Sequence, residues 1–174
     1  MTTVKQFTII PIEACKYFKP KDLYLLAGLY INAPYKEREE YLVTNTTYEQ
    51  LSGTTGVSLD YIKDAFIPRL KETNYVKIET IQESYMVKRN IYHLPNPPKN
   101  FRIIWAELFS DSSLSPEEKG VMIGLYCLCI NNEFRIDLSI NSFIVTWIWQ
   151  RTHIKSIETY LLRKRLSGLP MMFQ

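Results

Sequence analysis

The sequence lacks most of what chemistry on a substrate requires. Its six glycines are scattered, none in the G-x-x-x-x-G-K spacing whose backbone amides cradle phosphates, which excludes a P-loop enzyme. The two histidines, His93 and His153, each stand without a second ligand at metal-binding spacing, so no zinc site is expected. Nor do they form the pair that an initiator with a tyrosine nucleophile needs for its metal. No Cys–His or Ser–His–Asp set can be nominated. The three cysteines make an odd count, too few for a disulfide framework. Cys127 and Cys129 lie two apart in an apolar run and would leave a helix in different directions, so they share no metal. Together with Cys15 they read as buried thiols of a reducing compartment. No apolar run reaches the roughly 20 residues a bilayer span needs, the longest being Gly120 to Ile130. The start, MTTVKQFTIIP, lacks the apolar stretch of a signal peptide. A cytoplasmic protein that is no enzyme, with no cofactor, no metal and no membrane contact, is the expectation. Neither sign of charge dominates: 21 Lys and Arg meet 18 Asp and Glu, for a net charge of +3. That excess barely favours nucleic acid, so the placement of the cations matters more than their number.

What the chain does contain is ordinary globular composition, 46% hydrophobic and 22% charged over 174 residues, enough for one large domain or two small ones. It also resembles itself. FTII at 7–10 matches FRII at 101–104, and at the same offset of 94 Glu13 matches Glu107. KPKDLYLLAGLY at 19–30 matches SPEEKGVMIGLY at 115–126, with a shared Pro and a shared Gly-Leu-Tyr end. Glu40-Tyr41-Leu42-Val43 matches Glu133-Phe134-Arg135-Ile136. Four matches in one order predict two units. LPNPPKN at 94–100 holds three prolines in seven residues and reads as a semi-rigid connection. The expected domains are 1–94 and 101–174, with 95–100 as linker; the other reading of LPNPPKN is a loop inside one domain.

In the first unit, Leu23, Leu26, Ala27 and Tyr30 recur at helical spacing over 21–32, Pro20 suits a first helical turn, and Pro34 ends it. Tyr41 to Thr44 is β-prone. Thr47 to Gln50 has capping-box spacing and opens a brief second helix that Gly53 and Gly56 punctuate. Ser58 caps a third, with Leu59, Ile62, Phe66 and Leu70 on one face, and Asn74 can close it in the left-handed conformation. Pro68 conflicts with that helix, and predicts a kink there or an earlier end. Tyr75 to Leu94 then reads as two strands about a tight turn, with Val76, Ile78, Val87 and Ile91 on the apolar side. Helix, turn, helix and hairpin together make a winged helix-turn-helix.

The second unit repeats the plan. Ser115 at a cap, Pro116 after it and two glutamates in the first turn start a strong helix. Its apolar character nearly all round places it centrally or against the other unit. Helices are expected over 139–148 and 152–167, with Gly168 at the C-terminal end. LPMMFQ leaves room for at most one wing strand. The fold class is therefore α+β, mainly α: two tandem winged helix-turn-helix units joined by a Pro-rich linker, the second wing truncated.

The segment FRIIWAELFSDSSLSPEEKGVMIGLY, with its Leu114-Ser115-Pro116-x-x-Lys119-Gly120 helix start, resembles the winged-helix domains of phage and plasmid replication proteins. These are the replisome-organiser, DnaD-like and RepA-type initiator families. The resemblance covers 101–135 and extends to the remainder in layout only. It implies third helices that enter the major groove, hairpins that touch the backbone, and a role in replication initiation or its control on a plasmid, phage or other mobile element. Implied partners are double-stranded DNA, other replication proteins and a second copy of the chain. Longer family members carry further domains, for which no room is expected here.

Phosphate contacts supply affinity and base edges supply sequence choice. On the third helix the predicted outward residues are Ser58, Asp60, Lys63, Asp64, Ile67 and Lys71; its acids either accept from cytosine or mark a face that does not meet DNA. The wing offers Lys77, Lys88 and Arg89 to phosphate, or is an ordinary solvated hairpin. In the second unit Arg151, His153, Lys155, Arg163, Lys164 and Arg165 form the densest positive stretch. Arg163 to Arg165 also suit a helix C-terminus, whereas Arg151 and Lys155 do not have that explanation. Trp147 and Trp149 fit core or dimer packing better than base stacking. The candidate DNA-binding set is thus Ser58, Lys63, Lys71, Lys77, Lys88, Arg89, Arg151, His153, Lys155 and Arg163. The alternatives to a replication role are a protein–protein module of the same fold and a transcriptional regulator.

Overall fold

Helix α1 (Pro20–Asn32) begins with the proline its first turn tolerates, since that turn's N–H has no intrahelical partner. One apolar face is expected of it, yet Leu23, Tyr24, Leu25, Leu26, Ala27, Leu29 and Tyr30 are all 0% exposed. The second face is covered because α1 packs along a helix from the other repeat, α6 (Pro116–Leu128), as well as on the strands and helices of its own. In this computed structural model residues 7–34, 36, 39–82, 85, 88–97 and 99–128 are described. The chain divides into two compact units after Ile136, and every described residue belongs to the first. The expected helices over 139–148 and 152–167, with Gly168 and both tryptophans between Thr146 and Gln150, lie outside the described residues.

The unit is α+β with helix predominant. Strand β1 (Phe7–Pro11) leads through a 3-10 turn (Ile12–Lys16) into α1; β2 (Tyr41–Thr44), α2 (Tyr48–Thr55) and a helical stretch over 59–72 follow. Strands β3 (Lys77–Gln82) and β4 (Lys88–Pro95) form a hairpin, and β5 (Phe101–Trp105), α5 (Glu107–Ser110) and α6 complete the described chain. The hairpin and β2 make a three-stranded sheet in the order β2–β4–β3, all antiparallel. β1 pairs antiparallel with β5 in a separate two-stranded sheet, Ile9 opposite Ile103.

That second pairing bears on the Pro-rich segment. The chain's two compact units divide after Ile136, and Pro95 and Asn100 are bonded to their surroundings. The Tyr30 hydroxyl donates to the Pro95 carbonyl at 2.6 Å. The Ile12 amide donates to the Asn100 carbonyl at 2.8 Å. Leu94 and Pro95 themselves belong to β4.

Several local features arise directly from their residues. Thr47 and Gln50 form a complete capping box, Gly56 closes α2 at φ 68°, and Ser58 caps the next helix. Asn74 takes φ 52° after the 59–72 helix. The difficulty posed by Pro68 is resolved by a π turn over Ile62–Phe66, lying between α3 (Leu59–Tyr61) and α4 (Ile67–Glu72). Pro68 then stands in the first turn of α4, where its missing N–H costs little. The extra residue in the π turn also rotates the start of α4 about the helix axis, so Ile67, expected outside, is buried at 4% exposure.

The β4 face is also corrected by one residue. Tyr92 and Leu94 are the inward residues, both 0% exposed, while Ile91 pairs with Glu79 on the other face. Successive side chains on a strand alternate, so a one-residue shift exchanges the faces; Val87 lies outside the described residues.

The Leu-Ser-Pro-x-x-Lys-Gly segment has a packing role. Ser115 and Glu118 cap α6 reciprocally, at 3.3 and 2.8 Å. Lys119, 6% exposed, donates to the Phe109 carbonyl at 3.1 Å and lies against the Tyr24 ring; burial lowers its pKa. At Gly120 a Cβ would overlap the Pro20 carbonyl, so only glycine lets α6 reach α1. Cys15 and Cys127 are buried and in no disulfide. No helix among the described residues is long and apolar enough to cross a membrane.

Candidate nucleic-acid interface

The N-terminus of α2, the outer side of the 59–72 helix and the β3–β4 hairpin enclose a groove of about 830 Å³. Lys63 and Lys71 border it from the helix, eight residues apart and hence about two turns along one side. Arg89 borders it from β4. Asp60 and Asp64, the acids that weaken the same helix as a phosphate-binding face, are exposed but line no part of it. Among the described residues, two lysines and the edge residue Arg89 therefore meet one acid, Glu49. Glu49 stays ionised below the usual carboxylate range because its own amide and the Thr47 hydroxyl bond to it, with Lys63 adding attraction.

The sheet side of the groove carries a polar chain that no sequence motif announces. The Thr80 hydroxyl donates to Asn90 Oδ1 at 2.9 Å. Asn90 Nδ2 donates to the Tyr48 hydroxyl at 3.0 Å and to that of Tyr92 at 3.4 Å. Tyr92 is buried at the base of the groove, and burial pushes its pKa up to about 12 despite the Asn90 bond that lowers it. Tyr48 is thereby fixed by a residue 42 positions away. Alternation in the hairpin does signal that Thr80 and Asn90 share a face, but nothing local signals that Tyr48 lies across from them.

The other predicted residues divide differently. Ser58 accepts from the Tyr61 amide at 3.5 Å as a helix cap and does not line the groove. Lys77 is 3.0 Å from Glu79 and stands, with His93, on the sheet face opposite the Thr80–Asn90 pair. Pleat alternation gives the Arg89 side chain that same face, so Arg89 meets the groove at its edge. Lys88 pairs with Gln82 at the hairpin end; its side chain is outside the described set. Arg151, His153, Lys155 and Arg163 lie outside the described residues.

Behind the 59–72 helix an ionic cluster holds it to α1. Asp22, 1% exposed, accepts from the Tyr61 hydroxyl at 3.0 Å and pairs with Arg69 at 3.1 Å. Arg69 also donates to the Tyr61 hydroxyl at 2.8 Å. Burial raises the Asp22 pKa, and the Arg69 charge opposes the rise. The helix that carries Lys63 and Lys71 is thus anchored through its other side. Among the described residues no three His, Cys, Asp or Glu side chains gather as a metal site.

Compared with protein families, curated proteins and solved structures, the chain matches none.

Proposed function

We propose that residues 20–95 are a winged helix-turn-helix and that their groove receives the phosphate backbone of double-stranded DNA. The observation that carries this reading is the placement of Lys63 and Lys71 along one concave surface, with Arg89 at its edge and Asp60 and Asp64 off it. The order helix, strand, helix, helix, hairpin with strands in the order β2–β4–β3 supports the fold assignment. In this reading the 59–72 helix approaches the major groove, β3–β4 is the wing, and Lys63 and Lys71 neutralise phosphates. Because Tyr48 accepts from Asn90, its own O–H is left to donate to a phosphate oxygen. β5 and α6 occupy the places in the second repeat that β1 and α1 hold in the first, which supports a second winged helix over 101–174. The role proposed is binding, in replication initiation or its control on a mobile element, as the segment around Leu114 to Gly120 suggests.

The test is fluorescence anisotropy of an end-labelled random duplex of about 24 base pairs, titrated over a salt series. Saturable binding near 50 mM salt that weakens steeply toward roughly 200 mM is expected. Absence of binding at the lowest salt overturns the proposal and favours the protein–protein module.

A further inference from the structure

A second concave surface, of about 710 Å³, shares no residue with the first and has the opposite charge. Glu13, Glu39 and Glu40 line it together with Tyr17, Tyr41 and Tyr75, and among the described residues no Lys, Arg or His does. None of the three glutamates is in an ion pair among the described residues. Tyr17 and Tyr41 are 52% and 40% exposed.

The surface is built rather than incidental. Tyr75 is held between Tyr17, with ring centroids 5.3 Å apart, and Phe18 at 5.5 Å. Asn96 fixes the acidic side: its side-chain amide donates to the carbonyls of Lys36 at 3.0 Å and Glu39 at 2.8 Å. Its backbone N–H donates to the Glu40 carbonyl at 2.9 Å. Pro95 and Pro97 flank Asn96 and restrict the backbone there.

Half-exposed tyrosines beside carboxylates that no described cation pairs are complementary to one side-chain chemistry above others. A guanidinium lies flat on a tyrosine ring and presents a fork of N–H donors to a carboxylate; an ammonium offers a point charge without the planar face. DNA phosphate would be repelled here. We propose that this surface docks an arginine-bearing peptide segment of a partner protein. The inference does not depend on whether the first groove binds DNA.

The experiment titrates the full chain with hexa-arginine and, separately, hexa-lysine, followed by amide chemical shifts. Saturable shifts at Tyr17, Tyr41, Tyr75 and Asn96 are expected, with hexa-lysine weaker by about threefold or more. The doubly substituted Glu39→Gln/Glu40→Gln chain, whose changes are exposed and isosteric, should bind hexa-arginine about tenfold more weakly with its own spectrum intact. Tyr17→Ser should weaken hexa-arginine more than hexa-lysine. Equal binding of both peptides with shifts spread over Glu79 and Glu117, or no effect of the glutamate substitutions, overturns the proposal. So does a concentration-dependent dimer that Glu39→Gln/Glu40→Gln dissolves, which would give the surface to a second copy instead.

Discussion

Ile9 and Ile103 face each other at the centre of the β1–β5 ladder, and each is the other's counterpart at the 94-residue repeat offset. Phe7 pairs with Trp105 and Pro11 with Phe101, so the ladder is symmetric about that central pair. The two repeats meet strand to strand here and helix to helix at α1–α6.

A fragment ending at residue 94 should therefore fail to fold cooperatively. It keeps Tyr24 on α1 but loses Phe109 and Lys119, which lie against its ring, and β1 loses its partner. Urea unfolding followed by circular dichroism checks this: a broad, weak transition is expected, and a sharp transition matching the full chain would show that 1–94 closes its own core.

Two glycines should respond in opposite senses to alanine. Gly120→Ala forces α6 from the Pro20 backbone and is expected to cost about 3 kcal/mol or more. Gly53→Ala meets nothing within 4 Å inside α2 and is expected to stabilise by roughly 0.5–1 kcal/mol through reduced chain entropy. Chemical denaturation of both variants reads the difference.

Removing Arg69 strands a buried carboxylate. Arg69→Met is expected to cost about 3 kcal/mol at neutral pH, with Asp22→Asn added to it recovering part of the loss. The sign with pH comes from the raised Asp22 pKa. The folded state holds that proton to higher pH than the unfolded chain, so this group's contribution falls as pH rises above the usual carboxylate range. Without Arg69 the pKa climbs further, and the variant should lose more stability than the parent between about pH 4 and pH 7.

Much of the first repeat was legible because its signals are local. The Thr47–Gln50 box, the Ser58 cap, Asn74 and the hairpin each depend on residues within a turn or two of one another. The mutual pairing of the repeats was not legible, since self-similarity reveals two copies but not that Ile9 seeks Ile103. The same limit concealed Tyr48, whose partner Asn90 comes from the hairpin. Pro68 signalled a break in the third helix, but Ile67 was misplaced because a π turn has no signature in hydrophobic spacing. Lys63 and Lys71 were legible as outward residues; that Asp60 and Asp64 stand off the groove while the lysines line it depends on how the hairpin sits.

Alkaline pH should unfold the protein through its buried phenols. Tyr24 and Tyr92, both 0% exposed, have pKa values raised by burial from 10.0 to about 12. A raised folded-state pKa means stability that is complete below 10 and lost as pH rises through 12, on the order of 2 kcal/mol for each group. Tyrosinate absorbance should rise together with loss of helical signal in that window. Ionisation completed before unfolding would contradict the burial of these hydroxyls.

The most direct measurement is the salt dependence of duplex affinity for the parent chain, Lys63→Ala/Lys71→Ala and Asp60→Asn/Asp64→Asn. If the groove holds phosphates, the double lysine variant binds more weakly on every sequence, and its slope of log affinity against log salt is shallower by about 2. The double aspartate variant should keep the parent slope. An unchanged slope without the two lysines would contradict the account.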